Sequence, residues 1–215
     1  MASIDTNTLL IVLIVLGGGI FAVLLLILYK VFIAGFGSGG DPTKPTSTQL
    51  GPYRNLSLLS DKGGMAKVYR AFNSEAGREC VLKVLRSEML GDADTVKKFQ
   101  REAEILQSIK RQHPEAPVVS VYTSGTISTQ FSELPFIELE YIPGKTDLAD
   151  YLKQHGKMIS SLVESVVVQI IRALLAAHDT GAIHRDLKPG NILLYDGDPK
   201  RLVVCDFGVA KQVDS

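Results

Sequence analysis

The stretch His184-Arg185-Asp186-Leu187-Lys188-Pro189-Gly190-Asn191 decides how this chain is read. Eight residues hold a carboxylate, an ammonium two positions on, and an amide three positions after that. Fifteen residues beyond Asn191 stands Asp206-Phe207-Gly208, preceded by the apolar, strand-like run 202–205. A lone Asp or Asn in such a segment is an ordinary turn former. The fixed positions H-R-D-L-x-x-x-N, however, arise by chance in a chain of this length at on the order of 10⁻⁴. The second acidic element at a fixed distance strengthens the reading.

Order and spacing of the two elements resemble those of the eukaryotic-like Ser/Thr protein kinases in their bacterial style, over residues ~53 to 215. Phosphoryl transfer asks little covalent help of a protein; it needs charge neutralisation and in-line positioning. The resemblance implies that Asp186 orients the incoming hydroxyl and accepts its proton, and that Lys188 steadies the transferred phosphate and marks Ser/Thr specificity. Asn191 and Asp206 supply hard oxygen ligands suited to Mg²⁺. His184 is expected to pack and hydrogen-bond within its loop.

The upstream half agrees. The segment Ser60-Asp61-Lys62-Gly63-Gly64-Met65-Ala66 aligns with the glycine-rich loop that lets backbone approach phosphates closely. The match to G-x-G-x-x-G is imperfect: Asp61 stands at the first glycine, Gly63 at the second and Ala66 at the third. A carboxylate there is expected to weaken nucleotide affinity by repulsion and a stiffer backbone. Next, Lys83 interrupts the apolar run Val81, Leu82, Val84, Leu85, a costly place for an ammonium unless it is paired. Nineteen residues on, Glu102 is the preferred partner, with Glu104 as competitor. Together with Asp186 and Lys188, Lys83 and Glu102 complete the catalytic set. In the hinge-like segment 135–144, Leu139 is the expected gatekeeper. Backbone groups of Glu140 and Ile142 are expected at the adenine edge, Val68, Val81 and Leu193 at its faces, and Asp150 or Asp147 near the ribose.

The fold class expected is α+β: a small β-rich lobe (about 51–142) and an incomplete helical large lobe (about 143–215), preceded by one transmembrane helix. Strands are expected at 53–59, 67–72, 79–85, 118–126 and 136–141, with helices at 94–110 and 160–178. The last has few charges and apolar residues on most faces, which suits a buried helix. The 215 residues carry 23 basic and 23 acidic side chains, so the balance speaks against a nucleic-acid partner. Two cysteines, Cys80 and Cys205, are too few for a disulfide framework and read as buried thiols, Cys205 at the back of the pocket. His113, His155 and His178 lack metal-ligand spacing.

The mean hydropathy of +0.16 has its source near the N-terminus. Residues 9–33 are almost wholly apolar, and 25 residues make roughly 37 Å of helix, enough to cross a hydrocarbon core of about 30 Å. Nothing basic precedes this run, whereas Lys30, Lys44 and Arg54 lie at its end or beyond. The expected order is therefore a short non-cytoplasmic tail (1–8), the span, a flexible linker (34–50), and a cytoplasmic kinase domain (51–215) at a bacterial plasma membrane. The resemblance stops seven residues after Gly208, without an A-P-E element, so a truncated or partial chain is expected, with apolar surface left bare on the 160–178 helix. The function implied is a membrane-anchored kinase passing the γ-phosphate of ATP to Ser/Thr hydroxyls of proteins. The alternative is an inactive, membrane-tethered nucleotide-binding or scaffold module. Expected partners are ATP with Mg²⁺, a protein substrate and the bilayer through residues 9–33, with room for dimerisation through the span or the small lobe.

Overall fold

The computed structural model describes residues 49–61, 64–144, 146–207 and 211–212. The expected membrane span, the linker up to residue 48, and Lys62, Gly63 and Gly208 lie outside the described residues. The N-terminal part of what is described is a six-stranded antiparallel sheet in the order β1-β2-β3-β4-β6-β5. Its strands are β1 (Gln49–Leu50), β2 (Tyr53–Ser60), β3 (Ala66–Asn73), β4 (Arg78–Leu85), β5 (Val121–Ser128) and β6 (Glu133–Glu140).

Alternation along β4 explains how an apolar strand can carry a lysine. Cys80, Leu82 and Val84 point to one face and are fully buried with Tyr53, Tyr69 and Leu134. Val81 and Lys83 point to the other face, beside Val68 of β3 and Leu139 of β6, which the registers bring alongside. The first face also holds a fully buried acid, Glu138. Its carboxylate accepts hydrogen bonds from Tyr53 Oη (2.8 Å), Asn73 Nδ2 (3.0 Å) and Arg78 Nη2 (3.0 Å). Three donors, from β2, β3 and β4, compensate its desolvation and tie those strands to β6.

Between β4 and β5 runs α1 (Ala93–Gln112). Asp92 caps it, accepting from Asp94 N–H at 3.1 Å and from Thr95 Oγ1 at 2.5 Å, and Lys110 and Arg111 sit in the last turn where the helix dipole favours them. Phe99, Glu102, Ala103, Leu106 and Ile109 recur at helical spacing on its buried face. That stripe aims Glu102 at the sheet and leaves Glu104 exposed.

Beyond the sheet come β7 (Thr146–Asp147), α2 (Leu148–His155), α3 (Ser160–Asp179), β8 (Ala182–Ile183), β9 (Ile192–Leu194), β10 (Leu202–Val204) and β11 (Lys211–Gln212). Strands β10, β9 and β7 form a small sheet, and β11 pairs with β8. The paired β9 and β10 hold Asn191 and Asp206 at their ends, and Cys205 N–H donates to Asn191 O at 2.9 Å.

Two expectations need correction. The strand expected from Val118 begins at Val121; Val118 instead makes a single parallel bridge to Val204, because Pro117 and Val119 exchange backbone hydrogen bonds with that residue. The helix expected to be buried is only half so. Val166, Ala173, Ala176 and Ala177 pack inward, whereas Val163, Val167, Val168, Ile171 and Leu175 face outward and are exposed, matching the bare apolar surface expected on this helix. By length and composition α3 could cross a membrane, yet it packs against β10, β8 and α1, so it is read as a helix of the folded domain.

Candidate functional site

Where the sheet meets the segments after α3, a cavity of about 560 Å³ opens, a size suited to a nucleotide-sized ligand. Its roof is apolar, made by Val68, Ala66 and Val81, with Leu139 at the back and Leu193 below. Lys83, Glu102, Asp186, Lys188 and Asp206 add charged groups to its lining, with the Asn191 amide beside them.

Lys83 is the centre of this charged group. Its Nζ donates to both Glu102 oxygens, at 2.8 and 2.7 Å, and lies 3.4 Å from Asp206 Oδ1. Burial penalises the lysine's charge, but the facing Glu102 and Asp206 carboxylates outweigh it and leave the Lys83 pKa above its usual value. On Glu102 burial is the larger effect and Lys83 offsets only part of it, so that carboxyl sits above the usual carboxylate range. The two-pronged contact at hydrogen-bond distance is nonetheless that of an ionised pair, because it presents both carboxylate oxygens to one ammonium.

Residues of the 184–191 stretch form a second cluster. Lys188 Nζ donates to Asp186 Oδ2 at 2.6 Å, and Asn191 Nδ2 donates to Asp186 O at 2.8 Å and to Oδ2 at 3.1 Å. The hydrogen bond from Lys188, reinforced by Asn191, holds the Asp186 pKa below its usual value, and the Lys188 pKa is raised in return. With Nδ2 committed, the Asn191 amide oxygen is the atom left to meet a cation. Backbone strain accompanies this arrangement: Arg185 and Asp206 both sit at φ +64°, a region that non-glycine residues seldom adopt.

His184 ties the two acidic elements. It is almost fully buried; its Nε2 lies 3.0 Å from the Cys205 carbonyl, and its Nδ1 accepts from Asp186 N–H at 3.3 Å. The carbonyl can only accept, so Nε2 carries the proton. The ring also packs on Phe207, with centroids 4.5 Å apart. The expectation of a packing and hydrogen-bonding role holds, though the bond reaches the neighbouring loop as well as its own.

Most residues picked from the sequence line the cavity: Ser60, Gly64, Met65, Ala66, Val68, Val81, Leu193 and Glu140 join the charged group above. Ile142 and Asp61 do not line it. The Asp61 carboxylate is engaged by Arg86, and the Glu140 N–H by Ser120 O at 2.9 Å, so any ligand contact from the Glu140 backbone has to come from its carbonyl. Asp147 caps α2, its Oδ1 accepting from Asp150 N–H at 2.8 Å. Leu59 and Val119 line the cavity and were missed; as single apolar residues they carry no signal that separates them from plain core. Among the described residues no three acidic, imidazole or thiol side chains converge as a metal cage. A divalent cation here would therefore rest on Asp206 and Asn191 and complete its shell with water and phosphate oxygens, as Mg²⁺ commonly does.

Residues 60–215 match the protein kinase domain family. The chain belongs to the protein kinase family. This kinase chain is 39% identical over 165 residues to the serine/threonine-protein kinase pkn3 of Myxococcus xanthus, covering 76% of this chain and 28% of that protein. It is 36% identical over 171 residues to the serine/threonine-protein kinase PknD of Mycobacterium tuberculosis, covering 80% and 24%. With a probable serine/threonine-protein kinase PknB of Bifidobacterium longum it shares 33% identity over 175 residues, covering 79% and 24%. The kinase chain thus spans about a quarter of the length of these curated relatives.

Proposed function

We propose that this chain carries the nucleotide-binding and phosphoryl-transfer half of a bacterial Ser/Thr protein kinase, using ATP and Mg²⁺. The observation that carries the reading is the position of Lys83 Nζ, bonded to both Glu102 oxygens and 3.4 Å from Asp206, in a cavity lined by both charged and apolar groups. The apolar lining suits an adenine ring between Val68, Val81 and Leu193. The lysine then reaches the phosphates, and Asp206 and Asn191 would hold a divalent cation, which would supply charge neutralisation for the transferring group. Asp186, held ionised by Lys188, is suited to accept a proton from a Ser or Thr hydroxyl, and Lys188 can pass from the aspartate to the phosphate as that proton moves. Anchoring through residues 9–33, with the kinase domain on the cytoplasmic side, belongs to the same proposal and rests on hydropathy and charge.

The test is Mg²⁺-dependent ATP binding and phosphorylation of a generic Ser/Thr protein substrate by the full chain, beside Lys83→Met and Asp206→Asn. Binding that needs Mg²⁺ and is lost in both variants supports the site. Failure of the wild-type chain to bind, or indifference to both substitutions, overturns it. A membrane-tethered nucleotide-binding scaffold is the second reading; ATP binding without transfer would select it.

A further inference from the structure

Arg86, the residue after β4, holds both ends of the glycine-rich loop. Its backbone N–H donates to Met65 O at 2.9 Å, on the far side of the loop. Its guanidinium Nη2 donates to Asp61 O at 2.9 Å and also to the Asp61 carboxylate, on the near side. The Arg86 side chain is about four-fifths covered, whereas Asp61 is half exposed. Ser60 and Gly64, which flank this stretch, line the cavity and Asp61 does not. The carboxylate that replaces the pattern's first glycine is therefore drawn toward Arg86.

We propose that Arg86 is a positioning residue for the nucleotide: by binding Asp61 it cancels a charge that would repel the phosphates and anchors a loop end that glycine would leave free. The inference rests on the nucleotide-site reading above. Its physical basis is that an unpaired carboxylate near a triphosphate raises the free energy of the complex through a longer-range interaction than a lost van der Waals contact. A paired one presents a near-neutral dipole instead. The expected effect is therefore graded by ligand charge, strongest for ATP and absent for adenosine, and it weakens at high ionic strength.

The experiment titrates the full chain with Mg-ATP, Mg-ADP and adenosine. Arg86→Ala is expected to weaken Mg-ATP binding by roughly five- to tenfold and adenosine binding by less than about twofold. Adding Asp61→Asn to Arg86→Ala should restore Mg-ATP affinity to within about twofold of wild type, because neither charge is then left uncancelled. Arg86→Lys, which keeps the charge but not the fork, should fall between wild type and alanine and guards against a misfolded alanine variant. An Arg86→Ala chain that binds Mg-ATP like wild type overturns the inference. So does equal loss of ATP and adenosine binding that Asp61→Asn does not restore, the mark of a merely structural arginine. If the wild type binds Mg-ATP and Lys83→Met abolishes it while Arg86→Ala has no effect, only this inference falls; if the wild type binds none, the site reading falls with it.

Discussion

Two lysine–carboxylate pairs face the same cavity at nearly the same distance, 2.7 Å for Lys83–Glu102 and 2.6 Å for Lys188–Asp186, in opposite surroundings. The first pair retains 12% and 2% side-chain exposure, the second 55% and 41%. In the first, both charges have left water and each is the other's main compensation, so the pair is a fixed tie between β4 and α1. In the second, water competes with both partners, the contact contributes little to stability, and either group is free to trade its partner for a substrate atom. One geometry thus makes a fixed tie between sheet and helix in the first case and an exchangeable, water-exposed contact in the second. Dielectric surroundings, more than the residues themselves, assign the two roles.

The largest effect that would break this comparison is expected at Lys83. Lys83→Met strands a buried carboxylate and should cost about 3–5 kcal/mol of stability, read as a fall in urea midpoint, along with loss of Mg-ATP binding. Lys188→Met should leave the midpoint nearly unchanged; equal destabilisation by the two would refute the distinction. Next, Asp186→Asn should lower phosphoryl transfer by roughly 10²–10⁴-fold while nucleotide binding persists, measured by transfer assay and titration in parallel.

A smaller, directional effect sharpens the exposed pair. Lys188 holds the Asp186 pKa down, so the aspartate stays ionised to lower pH than a free one, and the acid limb of kcat/KM assigned to it should lie below the ordinary carboxylate range. Removing Lys188 should move that limb to higher pH; movement the other way would contradict the hydrogen bond as its cause. The smallest effect concerns the thiols. Burial pushes Cys80 and Cys205 up to about 12 each, so in the native chain at pH 8 both should react with iodoacetamide far more slowly than in the urea-unfolded chain. Because unfolding releases thiols of ordinary pKa, both should lower stability as pH rises from about 8.5 toward 12. Fast native labelling of either would show that its surroundings are open.

Much of the candidate site was legible because it is built from charged and polar residues in unlikely places. Lys83 stood out by interrupting an apolar strand, and Asp186, Asn191 and Asp206 by fixed spacing between turn-forming segments. The strands β2, β3 and β4 and the helix α1 were legible from their β-like runs and apolar spacing. The two-residue strands β1, β7, β8 and β11 were not, since no hydrophobic period can show in so short a run. Nor was the half-open state of α3, which depends on what packs against it. Arg86 is the clearest case of silence: one arginine after a strand resembles any surface charge until the fold brings Met65 and Asp61 to it.

The sequence by itself determined which chemical groups are present and in what order, because the motif residues are set by reactivity and backbone conformation, both local properties. Only the tertiary structure decided which charge meets which. It chose Glu102 over Glu104 by the face of α1, turned Asp61 toward Arg86, and gave two similar ion pairs different surroundings. Electrostatic roles depend on distance and dielectric, and both are properties of the packed chain.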